Sequence, residues 1–166
     1  MLDLAILGLL RERPRHGYEL RHALAELGFR RVSFGSLYPA LRRLEREGSV
    51  TAQPGSGRRK TYRITRSGLE RFLDLLATAE VDEADRSFQT RLAFLGALEP
   101  SQRIDQLEAR RNALAERLHG ARDSFRGARG ADRYRLALME RRVRATEADI
   151  AWLDQLIAAE RSRAGV

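Results

Sequence analysis

Along the first half of the chain, apolar residues return every three or four positions in short bursts separated by Gly, Pro and Ser. That pattern predicts a series of short amphipathic helices. Leu2, Ile6, Leu9 and Leu10 give a first helix over residues 2–11, which Pro14 ends. His16-Gly17-Tyr18-Glu19-Leu20 opens a second, with Leu20, Leu24 and Leu27 on one face and Gly28 as its stop. After a connection over 29–34, Leu37, Leu41 and Leu44 recur at i, i+4 and i+7 and predict a third helix closed by Gly48. Ser33 and Ser36 are both candidates for its N-cap. The later start is preferred, because it leaves Pro39 in the first turn, where a missing N–H costs little. Residues 49–53 and 60–65 read as two short strands around a flexible basic turn, Pro54-Gly55-Ser56-Gly57-Arg58-Arg59. Leu69, Phe72, Leu73 and Leu76 then predict a fourth helix.

The acidic, small-residued stretch 79–87 reads as a junction between halves. Residues 88–95 form a short amphipathic helix ended by Glu99-Pro100, and Ser101 caps the next. From there Ile104, Leu107, Leu114, Leu118, Ala121 and Phe125 keep a three-four spacing, interrupted by Arg111. A glycine-containing turn over 127–130 leads to a last helix with Leu136, Met139, Val143, Ile150, Leu153 and Ile157 in heptad pattern and Thr146 at one core-like place. Two long helices joined so closely lie antiparallel. Ala145, Trp152 and Leu156 add a second apolar edge to the last one. Leaving that edge in water forgoes several kcal/mol, at about 25 cal/mol per Å² of apolar surface. Dimerisation is therefore expected through Leu136, Met139, Val143, Ile150, Trp152, Leu153, Leu156 and Ile157. The expected fold is mainly α: a winged helix-turn-helix domain with a two-stranded wing over 1–79, then an antiparallel helical dimerisation domain over 80–166.

Charge sharpens this division. Residues 1–79 hold 15 Lys+Arg against 8 Asp+Glu, net +7, while 80–166 hold 16 against 15, net +1. The positive excess lies with the third helix, whose outward residues Ser36, Tyr38, Pro39, Arg42 and Arg43 suit phosphate oxygens and base edges in a DNA major groove. Lys60 is the only lysine, so arginine, which can bind bidentately, supplies the other 30 basic residues. A helical adaptor with a basic N-terminal module is the alternative reading. It explains the heptads and leaves the ordered basic face a coincidence.

With 43% hydrophobic and 33% charged residues in 166, the chain is expected to fold with much solvated helix surface. The lack of cysteine excludes disulfides, thiolate metal sites and cysteine nucleophiles, and agrees with a reducing cytoplasm. The apolar N-terminal run has no basic region ahead of it and is too short for a bilayer, so neither signal peptide nor membrane span is expected. Enzymatic readings find little support. His16, Glu19 and His22 would spread around a helix and not converge on a metal. No Gly-rich phosphate loop follows a strand, and neither Ser36 nor Ser67 has His and Asp companions. No cofactor is implied.

Three ordered motifs carry a resemblance. His16-Gly17-Tyr18-Glu19-Leu20, then Gly35-Ser36-Leu37-Tyr38-Pro39-Ala40-Leu41 with Leu44-Glu45 and Glu47-Gly48, then Arg59-Lys60-Thr61-Tyr62-Arg63-Ile64-Thr65 with Gly68 resemble the PadR family of bacterial transcriptional regulators over residues 2–76. The long helices from Phe88 onward resemble its larger subgroup, whose C-terminal helices dimerise. The resemblance implies a homodimeric repressor that binds an inverted-repeat DNA operator and is released by a small-molecule effector. Carried over by residue, Ser36, Tyr38, Pro39, Arg42 and Arg43 face DNA, Arg58, Arg59 and Lys60 bring the wing to the backbone or minor groove, and Tyr18 sits near a phosphate. Tyr62, Ile64 and Leu37 are assigned to packing, and Arg46 to solvent. Phe88, Phe94 and Trp152 are candidates to line a pocket for an aromatic or lipophilic effector, with plain dimer core as the alternative reading of the same residues.

Overall fold

Leu4, Ala5, Ile6, Leu7, Leu9 and Leu10 are buried together, so α1 (Leu2–Glu12) hides nearly its whole circumference. A helix does this when other elements enclose it. The computed structural model describes residues 1–54, 60–78, 85–128, 130 and 132–164. Among these, residues up to Leu98 form one packed unit and those from Glu99 a second. In the first, α1 is surrounded by α2 (Gly17–Glu26), α3 (Phe34–Arg46), α4 (Arg66–Ala77), α5 (Asp85–Phe94) and the strand β3 (Lys60–Ile64).

The small sheet is antiparallel, with β3 between β1 (Arg15–His16) and β2 (Val50–Pro54). β2 and β3 pair from Val50 opposite Ile64 to Pro54 opposite Lys60, as the two-stranded wing requires. The third strand is an addition to that expectation. After α1 ends, Arg15 lies opposite Tyr62 and His16 opposite Thr61. Two residues are too few to show a strand's alternation, so β1 left no periodic signal.

The preferred start of α3 is corrected. Ser33, not Ser36, is the N-cap: its Oγ accepts from the Ser36 N–H at 3.3 Å, and the Ser36 Oγ accepts from the Ser33 N–H at 3.1 Å. This reciprocal capping box holds the first turn although Pro39 now falls inside the helix. Pro39 has no N–H for the Gly35 carbonyl, and Gly35 is exposed, where solvent replaces the lost bond. Ser101 is likewise displaced as a cap. α6 (Pro100–Gly127) begins after Glu99, whose N–H donates to Gln102 Oε1 at 3.2 Å, with Pro100 in the first helical position.

Two close approaches set the wing against the helices. Gly48, at φ +72°, ends α3, and the Ser49 N–H returns to the Leu44 carbonyl at 2.9 Å. Thr65 and Ser67 both donate to the Gly48 carbonyl, at 2.6 and 2.8 Å, while Thr65 Oγ1 accepts from the Gly68 N–H and so caps α4. Gly68 lies so close to this junction that a Cβ there would stand 2.0 Å from the Ser49 carbonyl oxygen.

α5 packs in the first unit, beyond the expected boundary at residue 79. Phe94 is buried edge-on against Phe72, with ring centroids 5.8 Å apart, and Arg91 donates to the carbonyls of Leu75 and Leu76 at the end of α4, at 2.5 and 3.0 Å. A cation on the last carbonyls of a helix satisfies both orphan acceptors and dipole. The second unit pairs α6 with α7 (Arg133–Ala164). Arg103 meets Glu160, Glu108 meets Arg161, Arg111 meets Asp154 and Arg122 meets Glu147, so the two run antiparallel. Leu107, Leu114, Leu118, Leu153 and Ile157 are buried between them, and Leu136, Met139, Val143, Ile150 and Leu156 are half-buried. Among the described residues, no helix is long and apolar enough to cross a membrane.

Two glycine substitutions should have opposite signs. Gly68→Ala must displace backbone and is expected to cost about 1–3 kcal/mol. Gly120→Ala, inside α6 with nothing within 4 Å of the new methyl, should stabilise by about 0.5–1 kcal/mol. Thermal melts followed by circular dichroism check both, at roughly 2–4 °C per kcal/mol for a chain of this size.

Candidate nucleic-acid interface

Burial of Leu37, Ala40, Leu41 and Leu44 leaves the opposite side of α3 to solvent. Phe34, Tyr38 and Arg42 follow one another there at one-turn intervals, all exposed, with Pro39 beside them. They meet the first turn of α2 and the start of β3 around an open groove of about 780 Å³, lined by His16, Gly17, Tyr18, Glu19, Phe34, Tyr38, Arg42, Glu45, Lys60 and Tyr62.

Aromatic rings form the floor of this groove. Tyr18 is 67% exposed and stacks on Phe34 at a centroid distance of 6.4 Å, and Phe34 stacks on Tyr38 at 5.8 Å. The Arg21 guanidinium lies over the Phe34 ring, 4.9 Å from its centroid. Gly17 admits this arrangement, because a Cβ there would come within 2.8 Å of the Tyr38 hydroxyl. Tyr62 is buried beneath. Burial, then the proximity of Tyr38 and Glu45, raise its phenol above the ordinary 10.0 against the opposing effect of Arg42, so it stays a neutral packing residue.

The start of α2 is held by His16 and Glu19. The His16 N–H donates to Glu19 Oε2 at 2.7 Å, while the His16 ring lies 3.2 Å from both the Lys60 carbonyl and Thr61 Oγ1. The His16 N–H bond holds the Glu19 carboxyl below its ordinary 4.5, aided by Arg13 and resisted by desolvation. His22 pairs with Glu26 instead. Among the described residues no three His, Asp or Glu side chains gather as ligands for a metal ion.

The residues expected at the interface separate into groups. Tyr18, Tyr38, Arg42 and Lys60 line the groove and are exposed, and Pro39 is exposed next to Tyr38 on α3. Ser36 is exposed, but its hydroxyl also donates to the Ser33 carbonyl at 3.0 Å within the cap. Arg43 turns toward α1, where it binds Asp3 bidentately at 2.6 and 2.8 Å. Glu47 lies 3.8 Å from Arg43 and pairs with Arg71, which also reaches Asp3 at 3.3 Å. Arg58 and Arg59 lie outside the described residues. Phe34 and Arg21 belong to the face and were missed: residues 29–34 read as a connection once the helix was started at Ser36, and Arg21 on α2 has no role at the face except over the Phe34 ring. Their signal was present: Phe34 stands one turn before Tyr38, and Arg21 one turn after Tyr18.

Of the other expected contacts, Phe94 is taken into the core of the first unit and Phe88 is half-buried on α5, while Trp152 stands 45% exposed on α7 in the second.

Residues 6–73 match the family model described as the transcriptional regulator PadR-like family. Those residues form a PadR-like domain. Residues 86–160 match a second model, described as the virulence activator alpha C-terminal region, in keeping with the larger PadR-like subgroup. Solved structures similar to the chain include PadR of Bacillus subtilis in complex with operator DNA, 22% identical over 96% of this chain and 98% of that one, at a TM-score of 0.43. A PadR-like regulator of Bacillus cereus is 22% identical over 98% and 99%, at 0.46. PadR of Bacillus subtilis with p-coumaric acid is 21% identical over 96% and 98%, at 0.44. No curated protein matches the chain. PadR-like proteins are DNA-binding regulators and not enzymes, which agrees with a groove that offers donors, acceptors and rings.

Asp3 gives the site a measurable acid dependence. Burial raises its pKa, but the hydrogen bond and charge of Arg43, with Arg71 and the N-terminus, more than compensate and leave it below the ordinary 3.8. A lowered folded-state pKa contributes stability that is complete above the unfolded value and lost as pH falls through the folded one. Asp3→Asn should therefore cost about 1–2 kcal/mol in urea unfolding at pH 7. The gap to wild type should narrow as pH falls below the ordinary 3.8, as the Asp3 carboxylate is protonated in the folded protein as well.

Proposed function

We propose that this protein is a homodimeric transcriptional repressor that binds an inverted-repeat operator in double-stranded DNA. The observation that carries the proposal is the two-sidedness of α3, held inward by Leu37, Leu41 and Leu44 while Tyr38, Pro39 and Arg42 stay outward in the half of the chain with net charge +7. In this reading α3 enters the major groove, Arg42 and Tyr38 meet base edges, Tyr18 lies near a phosphate, and Lys60 with Arg58 and Arg59 brings the wing to the backbone. Arg43 takes a different part from its neighbours: bound to Asp3, it sets the angle at which α3 leaves the core.

A dimer follows from the apolar edge of α7. Trp152 is exposed on the same helix as the half-buried Leu136, Met139, Val143, Ile150 and Leu156, and a second copy of the α6–α7 pair covers these, whereas Leu153 and Ile157, expected among the dimer contacts, are already buried within the protomer's own seam. Two copies place two reading helices on two half-sites, which supplies the specificity a single short site lacks. Release by a small-molecule effector belongs to the proposal on family grounds. It requires a dimer state in which the two copies of α3 are misspaced for the groove and which the effector binds better.

Gel shifts on the DNA upstream of the protein's own gene, at several salt concentrations, test the reading. A site-selective complex that weakens steeply with salt supports it, whereas binding without sequence preference sinks it in favour of a helical adaptor. Tyr38→Ala and Arg42→Ala should each weaken operator binding by about 1–3 kcal/mol with the dimer intact in sedimentation. Lys60→Ala should weaken binding to all sequences and reduce the salt slope by about 1. Arg43→Ala should lower affinity and stability together, because it leaves Asp3 without its main partner.

A further inference from the structure

Of Phe34, Tyr38 and Arg42, the outward row of α3, Phe34 alone has a side chain that can neither donate nor accept a hydrogen bond. It is the first residue of the helix, 38% exposed, and its neighbours fix its pose: Tyr18 and Tyr38 stack on the ring and the Arg21 guanidinium lies over it. An exposed phenyl ring held by three partners presents an apolar edge in a constant place. Around it stand Arg21, Arg42 and Lys60 together with Glu19 and Glu45, a mixed rim with a cationic excess, in the half of the chain with net charge +7. The N-terminal residues of a reading helix are also those that come closest to base edges.

In the major groove of DNA the apolar feature a base edge offers is the C5-methyl of a pyrimidine, carried by thymine and by methylated cytosine. We infer that Phe34, backed by Tyr38, is a specificity-determining residue that packs against a pyrimidine C5-methyl group in each half-site. This rests on the reading of the face as a DNA interface and adds to it a chemical class of contact: discrimination by methyl burial in addition to hydrogen bonding. Tyr18 and Arg21 are positioning residues for the ring, one by stacking and the other by its charge over the π face.

The experiment takes the full chain and a duplex selected by it from a random DNA library. Each thymine of the duplex is replaced in turn by uracil, which removes the methyl and leaves every hydrogen-bonding group in place. In parallel, each cytosine is replaced by 5-methylcytosine. At one or two neighbouring positions per half-site, uracil should weaken wild-type binding by about fourfold, the factor that goes with one buried methyl. Phe34→Ala should bind the thymine and uracil duplexes equally, and Phe34→Leu should keep part of the difference. If uracil has no effect but 5-methylcytosine strengthens wild-type binding and not that of Phe34→Ala, the same contact stands with methylated cytosine as its source. Methyl-independent binding by the wild type, or equal methyl sensitivity in Phe34→Ala, overturns the inference, while a site-selective, salt-sensitive complex leaves the DNA interface in place. A chain that selects no sequence at all removes the interface reading itself. The wild-type arms decide even if Phe34→Ala proves too unstable to use, which melting by circular dichroism reveals.

Discussion

The enclosure of α1 is the constraint from which the rest of the first unit follows. An eleven-residue helix with seven consecutive buried positions has no face left for water, so α2, α3, α4, α5 and β3 must all find places around it. α3 is one of these wrapping elements, and a single apolar stripe suffices to hold it. Its other side is free for that reason. Asp3, at the start of the enclosed helix, adds a directional tie through its two bonds to Arg43, so that α3 is fixed in rotation as well as in depth.

Local needs then decide which polar groups remain available on that side. The capping box draws in the hydroxyl of Ser36, and the network of Asp3, Arg43, Glu47 and Arg71 draws in a guanidinium. What stands outward is a row of rings, Tyr18, Phe34 and Tyr38, among Arg21, Arg42 and Lys60, whose charge exceeds that of Glu19 and Glu45 on the same groove. Such a surface is apolar at its centre and cationic at its margin, which matches a groove whose floor is base edges and whose walls are phosphates.

The second unit obeys a different economy. A pair of helices has room for one shared seam, and Leu107, Leu114, Leu118, Leu153 and Ile157 fill it. The ion pairs that cross between α6 and α7 are mostly exposed, and such pairs contribute about 0–1 kcal/mol each. Their value lies in register, which they set along the length of the hairpin, while the leucines supply the burial. Residues beyond the seam remain half in water, and this surplus of apolar surface is what the proposed dimer uses.

Much of this was legible in the chain itself. Spacing by three and four, the stops at Gly28 and Gly48 and the paired strands of the wing all express local rules, because backbone geometry imposes them whatever else the chain contacts. The motifs shared with the PadR family lie on those same elements. Two-residue β1 was invisible, since a strand that short exists only because β3 lies beside it. The true start of α3 was decided by a hydroxyl exchange that outweighed Pro39, and the place of Phe34 changed with it. Arg43 looked outward by helical position and was turned inward by Asp3, forty residues away in sequence. Periodicity reports which side of a helix is buried; which charge answers which, and which ring rests on which, depends on distances that arise only when separate segments are brought together.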